Sequence, residues 1–91
     1  MAEQNVQMRI NESRMTNVYA NAFRQHANQH EVIVDMGVNV ATKDQATGET
    51  TMNFNVDSRV VMNYVTAKRM ASMLVQVVQA HEKQFGEIKI D

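Results

Sequence analysis

A chain of 91 residues with a formal net charge of −1 makes one domain, with neither a basic excess to draw it onto nucleic acid nor an acidic solvating tail. It contains no cysteine, which excludes disulfides, thiolate metal sites and cysteine nucleophiles. No apolar run approaches the ~20 residues of a membrane span, and Met1–Ile10 lacks the basic start and apolar core of a signal peptide, so a cytoplasmic protein is expected.

Two further features of the composition shape the reading. Proline is absent, so turns fall to Gly, Asn, Asp or Thr. There are 8 methionines and no tryptophan, which leaves flexible thioethers to fill gaps that aromatics usually fill.

Residues 1–13 are polar, with Val6, Met8 and Ile10 alternating between amides and charges. This is the pattern of a short edge strand or of a frayed terminus. Residues 14–91 are expected to form the single folded domain. Met15–Gln25 reads as a first strand carried by Val18, Tyr19 and Phe23, and His26–His30 as a turn.

Val32, Val34, Met36, Val38 and Val40 then alternate with Ile33, Asp35, Gly37 and Asn39, a strong strand signal. The polar stretch Ala41–Thr50, containing Gly48, joins it to a third strand over Thr51–Met62. There Met52, Phe54, Val56, Val60 and Met62 form one apolar row, interrupted only by Ser58.

At Asn63 the period changes from 2 to 3.6. Asn63 is an N-cap, and Gly86 after Phe85 supplies the positive-φ residue that ends many helices. The apolar arc is centred on Leu74 and takes in Ala67, Met70, Ala71, Val77, Val78, His81 and Phe85. Met73, Ala80 and Val75 widen it to roughly 200° at ~100° per residue.

The fold class that follows is α+β. It is an antiparallel three-stranded β-meander, four-stranded if the N-terminus adds an edge, followed by one long C-terminal helix on one sheet face. One thin sheet cannot cover so wide a stripe, so either the N-terminal segment or a second subunit must do so. Unpaired sheet edges argue the same way. A homo-oligomer, with a dimer favoured, is expected to use Met70, Met73, Leu74, Val77, Ala80 and His81.

Chemistry-bearing residues are sparse. His26 and His30 are four apart but fall in a turn, and no cysteine completes a metal set. His81, inside the apolar arc, is within reach of Tyr19 or Tyr64 as a neutral imidazole. Asp35 and Asp57 share the solvated sheet face. Ser13, Ser58 and Ser72 lie in no glycine-flanked elbow, and three glycines leave no phosphate-cradling loop. No enzyme activity, metal or cofactor is expected. The alternative is nucleic-acid binding through Arg24, Arg59, Lys68 and Arg69, the last two opposing the helix dipole at its start.

Four segments together resemble a known family: VYANAF at Val18–Phe23, EVIVDMG at Glu31–Gly37, SRVVMNYVTAKRM at Ser58–Met70 and HEKQFGEI at His81–Ile88. The chain is similar over residues 18–88 to a widespread prokaryotic family of short proteins of unknown function. Where that family opens its helix with Ser/Thr-Pro, this chain has Asn63-Tyr64, and where an aromatic precedes Glu82, it has His81. The resemblance implies a fold and no activity. A looser likeness, to SecB-type export chaperones, implies a Met-rich apolar surface for unfolded chains.

Overall fold

The computed structural model describes residues 5–91. Three strands, β1 (Ala22–Ala27), β2 (Glu31–Lys43) and β3 (Thr50–Asn63), form an antiparallel sheet in the order β1-β2-β3. One helix, α1 (Tyr64–Phe85), follows. The α+β meander read from the periodicities is the fold.

The first strand starts later than its composition suggests and runs through His26 and Ala27, so the turn is only Asn28–His30. Asn28 sets it. Its Oδ1 accepts the N–H groups of both His30 and Glu31 at 2.8 Å, an Asx turn that substitutes for backbone pairing. The second hairpin loop also shrinks, to Asp44–Glu49, closed by the Asp44 N–H to Glu49 carbonyl bond of 2.8 Å. Gly48 supplies its positive φ of 76°.

Between β2 and β3 the register slips at Met36/Gly37. Met36 pairs with Ser58 but Gly37 with Val56, leaving Asp57 as an extra residue. Side chains alternate along a strand, so one extra residue exchanges the faces. The single apolar row expected of β3 is therefore divided. Val60 and Met62 lie on the face of Val34 and Met36, whereas Met52, Phe54 and Val56 lie on the face of Asp35 and Gly37. Gly37 permits the bulge: a Cβ there would overlap the Asn55 carbonyl oxygen and stand 3.0 Å from Val56 Cα.

The helix begins where the N-cap logic puts it. Asn63 accepts the Thr66 N–H at 2.8 Å. The Tyr64 hydroxyl donates to the Asn28 carbonyl at 2.6 Å, tying the helix start to the first turn. At the far end Gly86, φ 99°, donates to the Glu82 carbonyl, and the Glu82 carboxylate accepts the Ile88 N–H at 2.9 Å. The Glu-x-x-Phe-Gly-Glu-Ile segment is thus a helix stop with its own side-chain clasp. Lys68 and Arg69 sit beyond the first turn, where the dipole penalty expected of them has largely faded.

Residues 5–20 form no strand, and their one backbone turn is the Met15 N–H to Glu12 carbonyl bond. Residues 1–4, the rest of the expected N-terminal segment, lie outside the described residues. No described helix is long and apolar enough to cross a membrane.

Candidate functional site

The helix does not close over the sheet. Between them lies an open groove of about 500 Å³, floored by Phe23, Val34, Met36, Val60 and Met62 and walled by Met70, Met73 and Leu74. Gln25 is the one polar side chain among the described residues of its lining. A pocket that selects a small molecule carries several convergent polar groups, so this lining suits a continuous apolar surface better. Met62 is the one buried apolar side chain among the described residues, and no helix residue is buried.

Of the helix residues expected at an interface, Met70, Met73 and Leu74 border the groove. Val77, Ala80 and His81 continue the stripe along the exposed second half of the helix. His81 does not bond either tyrosine. Its ring packs 4.9 Å from that of Phe85, while the Tyr64 hydroxyl is engaged by Asn28. His26 lies in β1 opposite Ile33, and His30 in the turn, so the two do not share a helical face.

The opposite sheet face overturns the reading of Asp35 as a solvated carboxylate. Arg24, Asp35 and Arg59 stand directly across from one another on β1, β2 and β3. Arg24 Nε donates to Asp35 Oδ2 at 2.6 Å. Arg59 donates from Nε to Oδ1 at 2.7 Å and from Nη2 to Oδ2 at 3.0 Å. Roofed by the two guanidiniums, Asp35 is fully buried, and Asp57, out in the bulge, is not its neighbour in pairing. Hydrogen bonds from Arg59, then from Arg24, hold the Asp35 carboxyl far below the ordinary carboxylate range against the opposing effect of burial. Asp35 in turn raises the pKa of Arg59.

The ladder engages two of the four residues named for the nucleic-acid alternative. Arg24 and Arg59 are not unengaged basic side chains on a polar face but clamps on a buried carboxylate. Each remains about half exposed, at 51% and 54%, so the cluster shows solvent a single residual positive charge. Lys68 and Arg69 make no ion pair among the described residues.

Sequence reasoning missed the ladder because it needs the register of two hairpins at once. Two signals pointed to it. The turn centred between Gln29 and His30 sets Arg24 opposite Asp35, and Gly37 inside a strand marks a bulge or a close backbone approach. The motifs behind the family resemblance also meet here. Asn21 donates its N–H to the Gly37 carbonyl at 3.0 Å and accepts the Asn39 N–H at 2.8 Å, so VYANAF is pinned to EVIVDMG.

The chain matches no curated protein and no solved structure, and the looser likeness to SecB-type chaperones finds no support there. Over residues 1–90 it matches the family described as protein of unknown function DUF3467, and it belongs to that family.

Proposed function

We propose that this chain is a self-assembling protein-interaction module without catalytic chemistry, its groove and helix covered by a second copy of itself. One observation carries the reading. A compact protein of 10.4 kDa exposes about 5,400 Å², whereas this chain exposes 8870 Å². Its radius of gyration is 18.9 Å, against about 12 Å for a compact domain of this length.

The surplus of roughly 3,500 Å² per copy is larger than each partner contributes to most obligate dimers. Much of it is apolar: Phe23 is 69% exposed and Leu74 50%. A chain with 44% apolar residues and one buried apolar side chain among the described residues is half of a core. A homodimer is the simplest closure, because an isologous interface matches the same stripe to itself.

Native mass spectrometry and sedimentation of the untagged full-length protein test this. A dimer or higher homo-oligomer at micromolar concentration is expected. A folded monomer at every concentration overturns the reading.

The second reading, nucleic-acid binding, is favoured by the residual positive charge of the Arg24–Asp35–Arg59 ladder together with Lys68 and Arg69, which make no ion pair among the described residues. It requires a salt-dependent mobility shift with mixed RNA and DNA, and the absence of a shift at low salt removes it.

A further inference from the structure

We propose that the N-terminal arm, residues 5–11, is exchanged between copies and adds as a fourth strand to the outer edge of β3 in the partner. The proposal rests on the self-assembly reading and gives it a second, independent contact.

The arm has the sequence of a strand and lacks the partner of one. Val6, Met8 and Ile10 alternate with Asn5, Gln7, Arg9 and Asn11, and the three apolar side chains are 85%, 85% and 82% exposed. Period-2 alternation over seven residues is a full strand length. Its backbone makes no bond to the sheet of its own chain. Amides in water are satisfied, but three large apolar side chains held this far out lose burial that an edge strand would give them.

The sheet offers three open edges. The outer side of β1 is 6 residues long, and beyond Gly37 the β1 side of β2 has no strand partner from Val38 to Lys43, again 6 residues, with its Asn39 N–H already taken by Asn21. The outer side of β3 runs the length of a 14-residue strand. The bulge at Asp57 divides that edge into two regular stretches, Thr50–Val56 and the shorter Ser58–Asn63. With Val6, Met8 and Ile10 in line with Met52, Phe54 and Val56, the arm covers the longer stretch from Thr51 to Val56.

Charge and polarity choose between the two halves of β3. Beside Val60 and Met62 the arm would place its apolar residues on the groove face and Arg9 on the face of Arg59, a like-charge contact. Beside Thr50–Val56, Val6, Met8 and Ile10 extend the apolar row of Met52, Phe54 and Val56. Gln7 and Arg9 then fall alongside Asn53 and Asn55, which carry no positive charge. Backbone bonds of this kind supply affinity, and the side-chain row supplies register.

Two measurements on the full-length chain decide it. Amide hydrogen exchange, at a concentration where native mass spectrometry gives an oligomer, should show residues 5–11 slowed by roughly 100-fold relative to an unstructured peptide. A photo-crosslinker at Met8, in a mixture of light and nitrogen-15 copies, should join light chains to heavy ones at residues 50–56. An oligomer whose arm exchanges at the unstructured rate overturns arm exchange and leaves self-assembly standing. Crosslinks within single chains, or between chains but onto β1 or α1, overturn it as well. A monomeric mass overturns both readings.

Discussion

Leu74 is the position at which the interface reading is most exposed to test. It walls the groove at the centre of the helix's apolar arc and is half exposed in the single chain. Full burial of a leucine side chain is worth about 2 kcal/mol, so covering the remaining half contributes about 1 kcal/mol per copy. In a two-fold dimer the contact occurs twice, so Leu74→Ala should weaken association by about 2 kcal/mol, roughly 30-fold in Kd. Any cavity that fails to collapse adds to this.

Leu74→Asp goes further, because an unpaired carboxylate in an apolar contact costs far more than a lost methylene. It should leave a monomer at concentrations where the parent is assembled. Sedimentation over a wide concentration series reads both variants, with far-ultraviolet circular dichroism reporting the helix. If Leu74→Asp unfolds the chain, the milder Leu74→Ala series still gives the answer. A parent-like Kd for both variants, with helix content retained, refutes the idea that this stripe is covered by another copy.

Three other outcomes follow from particular residues. Gly37→Ala puts a methyl group into the backbone of Asn55 and Val56, which cannot yield as a side-chain tip would. At ~1–3 kcal/mol for overpacking, thermal unfolding should drop by roughly 10 °C, and an unchanged Tm would show that the bulge is not held this way. The Asp35 carboxyl is held below its ordinary range when folded, so the unfolded chain binds more protons in acid. Its stabilising contribution is therefore present at neutral pH and is lost as the pH falls from about 4 towards strongly acid values. Asp35→Asn should flatten that acid limb of Tm against pH, and a limb of unaltered slope would count against the ladder. Asn63→Ala removes the acceptor for the Thr66 N–H and should cost about 1 kcal/mol in denaturant unfolding, whereas Asn63→Asp should not.

Local chemistry made much of this protein legible in its residues. The change of period at Asn63, the cap itself, the stop at Gly86 and the β2 alternation each involve atoms only a few residues apart in the chain. Propensity and capping therefore decide them without the rest of the molecule. The first strand was harder, since Met15–Phe23 carries β-favouring side chains that lie outside the sheet almost to its end. Strand identity there is set by pairing, and Asn21, bonded to Gly37 and Asn39, marks where pairing begins.

The tertiary structure alone decided which residues meet. Asp35 looks like any outward carboxylate until two hairpin registers bring Arg24 and Arg59 to it. The apolar row of β3 looks continuous until one extra residue at Asp57 turns half of it to the other face. Register is a long-range property, fixed by turn length and by a single backbone contact at Gly37, and one residue of slip moves every side chain across the sheet. The width of the helix stripe could be counted from the sequence. That it stays open, above a groove its own chain does not fill, emerged only from how the sheet and helix lie together.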